Sequence, residues 1–150
     1  MIKTLKGAEK KILLNMLDDY IDHIEKTNNK SLLARIYGIF TVKTNYFDPL
    51  DIIVMQNTSL LESKLNPKMI FDLKGSTVNR KEHLDTKFWK NSLNQKKILK
   101  DMNYLEISQD LNLLSMNIDD KETLEKILDL DSKFLEMHKL MDYSLLLIIE

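Results

Sequence analysis

Residues 69–82 read MIFDLKGSTVNRKE. Met69, Ile70 and Phe71 are a short apolar run, which reads as a strand. Side chains alternate along a strand, so Asp72 and Lys74 fall on one face, opposite Leu73. Gly75 then lets the backbone turn or approach another group closely. Arg80 follows as a second base. One strand end therefore delivers an acid, a base, a flexible joint and a second base.

The chain around this stretch is patterned in helices and strands. Upstream, MIKT (1–4) reads as a strand end. Residues 7–29 read as one helix, because Leu13, Leu17, Tyr20 and Ile24 recur at spacings of four, three and four. LARIYGIFTVK (33–43) reads as a strand with a bulge at Gly38. Pro49 marks a turn. DIIVMQN (51–57) is mostly apolar, which predicts a strand buried on both faces. Residues 59–68 read as an irregular connection. Three strands after one helix predict an antiparallel sheet with a helix packed on it.

Downstream, residues 77–97 have no clear period and read as a loop, with Phe88 and Trp89 as isolated anchors. Order resumes at LKDMNYLE (99–106), where Lys100 and Asp101 read as a solvated pair or a site. Residues 119–140 carry the strongest helical pattern, capped by Asp119 or Asp120. Leu124, Ile127, Leu128, Phe134 and Leu135 form its apolar stripe, with Asp131 beside it. MDYSLLLIIE (141–150) then sets an acid before a continuous apolar run, which is strand-like.

Composition narrows the function. At 150 residues the chain has the length of one ordinary domain. A net charge of −1 gives no global field to recruit nucleic acid. The absence of cysteine removes disulfides and thiolate chemistry. No apolar stretch is long enough to span a bilayer, and the first residues lack the apolar region of a signal peptide. A cytoplasmic or membrane-peripheral location is expected. His23, His83 and His138 are scattered in the sequence, so no metal cluster is expected among them. The eight methionines read as core filler.

IKT (2–4), IIVMQN (52–57), FDLKGSTVNR (71–80), LKDMNYLE (99–106) and DSKFLEMHKLMDYSLLLIIE (131–150) occur in one order. Together they resemble the phosphatidylinositol phosphate kinase family; DLKGS followed by MDYSLL is the most specific part. The resemblance implies an α+β, kinase-like fold, similar to phosphatidylinositol phosphate kinases and SAICAR synthase, with an antiparallel sheet and packed helices. It also implies that residues 1–150 are the central part of a catalytic domain, with 81–97 a loop, incomplete at both ends. No glycine-rich hairpin precedes Lys3, and eight residues follow Asp142. The resemblance places the family's magnesium-binding aspartate and lipid-selecting loop beyond Glu150, so no metal ligand is expected within the chain.

The implied activity is ATP-dependent phosphorylation of the inositol head group of a phosphatidylinositol phosphate, with phosphatidylinositol 4-phosphate giving the 4,5-bisphosphate as first choice. ATP and Mg2+ are the implied cofactors. Lys3 resembles the strand lysine that pairs the ATP phosphates. Val54, Met55, Gln56 and Asn57 resemble the strand whose backbone holds adenine. Lys74 is the candidate cation for the transferred phosphate or the lipid phosphate, with Asp72 holding it in place. Arg80 is the candidate grip on the inositol phosphate, since a guanidinium matches phosphate geometry. Asp142 resembles the catalytic aspartate, which takes or orients the proton of the inositol hydroxyl. Tyr143 and Ser144 are expected to fix that turn, and Asp131 to bond its backbone.

Read without the resemblance, Asp72 and Lys74 are a surface ion pair beside a turn, and Asp142 ends a helix. The alternative function is a non-catalytic phosphoinositide-binding or scaffolding remnant of such a kinase. The expected partner is a phosphoinositide in a membrane surface, with the plasma membrane as first choice, and the family resemblance allows a homodimer.

Overall fold

The computed structural model describes residues 1–58, 69–83 and 97–149. Among these are six strands and four helices: β1 (Ile2–Thr4), α1 (Gly7–Asn15), α2 (Leu17–Lys26), β2 (Ile36–Val42), β3 (Leu50–Met55), β4 (Met69–Leu73), β5 (Ile98–Leu99), α3 (Asp101–Asp110), α4 (Ile118–Met137) and β6 (Leu145–Ile149). The fold is mixed α+β, as expected. The chain forms two compact units, one of residues 1–58 and 118–140, the other of residues 59–117 and 141–150.

The first unit holds an antiparallel sheet in the order β1-β3-β2. Its β2–β3 register shifts between Ile36 and Gly38, so the expected bulge is present. The glycine has a steric reason there: a Cβ on Gly38 would lie 2.6 Å from the Phe40 ring. In β3 only Ile53 is buried, which corrects the expectation of a strand covered on both faces.

The core of this unit is Met16, Tyr20 and Phe134, with Leu13, Leu17, Ile24 and Leu135 packed against it. The α4 stripe is buried as expected, at Ile127 and Phe134, with Leu124, Leu128 and Leu135 half-buried. Asp119 and Asp120 lie inside the first turn of α4, where carboxylates favour the helix dipole. The single helix expected over 7–29 is two. Met16 leaves helical geometry (φ −99°, ψ 0°), although its N–H still bonds Ile12 O at 3.2 Å. Beyond this break α2 buries Tyr20, whereas α1 buries nothing. Lys10 instead reaches from α1 to Asp51 and Thr41, at 2.6 and 2.7 Å.

The second unit holds the sheet β5-β4-β6. β4 pairs parallel with β5 and antiparallel with β6. The expectation that residues 69–73 join the sheet of β2 and β3 is thus corrected: their neighbours come from later in the chain. Met69, Phe71 and Leu73 line one face of β4, as period two requires. They pack with Leu99, Ile107, Tyr104, Leu113, Leu147 and Ile149. Phe71 is fully buried, and its ring meets Tyr104 edge-on at 5.4 Å. Residues 59–68, together with Phe88 and Trp89, lie outside the described residues.

Candidate active site

The face of β4 opposite Phe71 leads to the charged groups of the second unit. Asp72 is the fourth residue of that strand, and Lys74 lies just past its end. Gly75 then adopts φ 67°, a left-handed backbone that glycine enters without a Cβ penalty. Asn79 (φ 56°) and Asp142 (φ 60°) are also left-handed. Both residue types tolerate this region better than most. Asp142 sits on the short turn between α4 and β6, and pairing of β6 with β4 brings that turn beside the β4 end, with Leu73 opposite Leu145.

The result joins residues far apart in sequence. Lys74 Nζ stands 3.5 Å from Asp142 Oδ1, and the Asp142 side chain is almost fully exposed. Arg80 Nη2 donates to Asp72 Oδ2 at 2.9 Å and to the Asp72 carbonyl. Burial pushes the Asp72 carboxyl up, but hydrogen bonds from Ser144 and Arg80 and the charges of Arg80 and Lys74 outweigh it, leaving the group below its ordinary value. The structure brings Asp72, Lys74, Arg80 and Asp142 into one cluster. Within it Asp72 bonds Arg80, and Lys74 pairs with Asp142.

Arg80 is further constrained. Its Nε donates to Asp101 Oδ2 at 2.8 Å, so two carboxylates hold its guanidinium and its side chain is only 12% exposed. These contacts raise its basicity, Asp101 first and Asp72 second. The Nε and Nη2 donors of the arginine expected to grip the inositol phosphate are thus engaged by Asp101 and Asp72.

Asp101 is the residue whose weight the sequence did not reveal. It is buried and opens α3. Its Oδ1 accepts from the backbone N–H groups of Lys74 (2.9 Å), Gly75 (2.8 Å) and Ser76 (3.4 Å). Burial pushes its carboxyl up, but Arg80 and the backbone N–H groups of Asp101, Lys74 and Gly75 bring it down to about 2. Lys100 bonds Glu82 instead, so the two are no solvated pair. Asn103, fully buried, accepts from Glu82 N–H at 2.9 Å and donates to Glu82 O at 3.0 Å. Residues 80–82, expected within a loop, are therefore clamped to the start of α3, where Met102 N–H also bonds Arg80 O at 3.0 Å. A helix-opening acid preceded by an unpartnered arginine is the sequence signal that points to such a clamp.

The other candidates lie in the first unit. Lys3 is exposed on β1, opposite Ile53. Val54 pairs with Ile2 and Gly38 across the sheet. Met55 N–H bonds Met1 O at 2.9 Å, and Gln56 N–H bonds Arg35 O at 2.7 Å. Those two donors serve the sheet and its margin. Asn57 follows directly. Asp131 is buried, and it accepts from His23 Nε2 at 2.6 Å and from Leu32 N–H at 2.7 Å. Its backbone partner is Leu32, not the turn of Asp142. His23 and His138, scattered in sequence, both contact the Phe134 ring, at 4.8 and 4.6 Å. Among the described residues no group of three or more His, Asp or Glu side chains could hold a metal ion. No helix among them is long and apolar enough to cross a membrane.

The mixed α+β fold agrees with the kinase-like class to which the family match assigns the chain. The chain belongs to the phosphatidylinositol-4-phosphate 5-kinase family, whose profile matches residues 1–150. It is similar to three Arabidopsis thaliana proteins. Phosphatidylinositol 4-phosphate 5-kinase 9 is 36% identical over 148 residues, covering 98% of this chain and 16% of the relative. Phosphatidylinositol 4-phosphate 5-kinase 8 is 34% identical over 147 residues, covering 98% and 17%. Phosphatidylinositol 4-phosphate 5-kinase 3 is 33% identical over 147 residues, covering 98% and 19%. The chain thus spans about a sixth of the length of these curated relatives.

Proposed function

We propose that this chain forms part of a lipid kinase that moves the γ-phosphoryl of ATP to the inositol head group of a phosphatidylinositol phosphate, with phosphatidylinositol 4-phosphate as substrate and the 4,5-bisphosphate as product. The observation that carries the reading is the Lys74–Asp142 pair at 3.5 Å, built on a strand end and a left-handed turn. Phosphoryl transfer asks a protein mainly for positioning and charge stabilisation. In this reading the exposed Asp142 carboxylate takes the proton of the inositol hydroxyl. That hydroxyl oxygen bonds the γ-phosphorus, and the bond to the ADP oxygen breaks. Lys74 offsets the negative charge of the phosphoryl group in flight. The work is done at the cytoplasmic surface of a membrane, where the lipid head group is presented.

The test is phosphate transfer from γ-labelled ATP to vesicles containing phosphatidylinositol 4-phosphate, with Mg2+, using the wild-type chain or a longer protein that carries it, and its Asp142→Asn variant. Labelled bisphosphate from wild type, lost in the variant, is expected. Salt-sensitive vesicle binding with no labelled product would overturn the reading in favour of a non-catalytic phosphoinositide-binding module.

A further inference from the structure

Arg80 and Asp101 stand behind the Lys74–Asp142 pair, and their contacts run to the Lys74 turn and to Asp72 at the end of β4. The Asp101 carboxylate receives three successive backbone N–H groups, those of Lys74, Gly75 and Ser76. Successive amides around a left-handed residue form a concave anion site, a nest, and here the occupant is the chain's own carboxylate. The other Asp101 oxygen accepts from Arg80 Nε at 2.8 Å. Arg80 continues to the carboxylate and the carbonyl of Asp72. One branch ends on the backbone of Lys74, and the other ends on Asp72 at the end of β4.

We propose that Asp101 is a positioning residue for the Lys74–Asp142 pair, fixing the Lys74 turn through its amides and bracing the end of β4, against which the Asp142 turn lies, through Arg80 and Asp72. The inference rests on reading Lys74 and Asp142 as phosphoryl-transfer groups. Two features support it. Gly75 holds φ 67° with open space where a Cβ would stand, so the turn has no packing of its own there and is held by hydrogen bonds. Lys74 and Asp142 are joined only by a 3.5 Å pair with an exposed acid, a contact too weak to set its own geometry. Such groups lose rate when misplaced by about 1 Å. Arg80 carries that arm from Asp101 to Asp72.

The variants Asp101→Asn and Arg80→Lys test this in the full chain. The first keeps shape but replaces an anion with an amide that cannot accept at both positions. Amide hydrogen exchange and steady-state kinetics are read together. In Asp101→Asn, exchange at Lys74, Gly75 and Ser76 is expected to rise at least roughly tenfold, with Phe71 and Ile107 still protected. kcat is expected to fall at least roughly tenfold with KM for ATP and lipid within about threefold, the pattern of a group acting on the transition state. Arg80→Lys should move both readouts the same way by less, and it decides the matter if Asp101→Asn fails to fold. Unchanged exchange at residues 74–76 overturns the proposal, as does raised exchange with unchanged kcat. If wild type gives no product from any phosphoinositide, the kinase reading fails instead, and exchange alone decides whether Asp101 holds the turn.

Discussion

Lys74 Nζ lies 3.5 Å from Asp142 Oδ1, yet the two residues are separated by most of the second unit's sequence. Asp142 holds φ 60°, a conformation that asparagine also tolerates. Asp142→Asn therefore removes a charge without adding backbone strain. Lipid phosphorylation should fall roughly 100- to 10,000-fold, while the thermal midpoint stays within about two degrees. A midpoint loss as large as that of a core variant would mean that Asp142 serves the fold.

Asp101 links stability to acid. Its carboxyl sits at about 2 in the folded chain against an ordinary 3.8. A depressed acid contributes stability that is whole above about pH 4 and is lost as the pH falls toward about 2, because the folded chain resists the proton that the unfolded chain accepts. The contribution is up to about 2 kcal/mol, and Asp72 adds to it in the same direction. Urea unfolding of wild type and Asp101→Asn between about pH 2 and 6 should show a steeper acid loss in wild type. Parallel curves would remove Asp101 from the linkage.

Phe71 is fully buried between β4 and α3 and meets Tyr104 edge-on. Phe71→Ala should destabilise by about 3–5 kcal/mol through lost transfer energy and a residual cavity. Chemical denaturation measures this directly. A cost below about 1 kcal/mol would mean that the pocket collapses around the smaller side chain.

Asp131 supplies the acceptor for both His23 and Leu32 N–H inside the first unit. Asp131→Ala strands those donors in a buried place and should cost about 2–3 kcal/mol. A double-mutant cycle with His23→Ala should give a coupling of about 0.5–3 kcal/mol. Additive losses would show that the two side chains act independently. The same pair of variants should leave the Lys74–Asp142 chemistry intact, because neither residue touches it.

The parts of this fold that are local were readable. Alternation and apolar runs placed β2, β3, β4 and β6, and three-four spacing placed the Ile127 and Phe134 stripe of α4. Gly38 announced its bulge. The break at Met16 was not readable, because the apolar spacing runs straight through it and burial of α2 alone distinguishes the two helices. Sheet membership was also hidden, since residues 69–73 pair with strands that come later and nothing in their own pattern names a partner. For the site, the charged types at 72, 74, 80 and 142 were visible, and their pairing was not. Asp101 bonds Lys74 and Arg80 from 27 and 21 residues away, a distance at which periodicity carries no signal. Asn103 reads as an ordinary helical polar residue until its two bonds to Glu82 are seen.

The carboxylate seated on the amides of residues 74–76 has a consequence for competition. A tethered group acts at an effective concentration of the order of millimolar or above, set by the short distance it must span. Free inorganic phosphate and sulfate at cellular levels meet a rival that never diffuses away. That turn is consequently deaf to stray anions, because an anion that reached its amides would first have to displace the tethered Asp101 carboxylate.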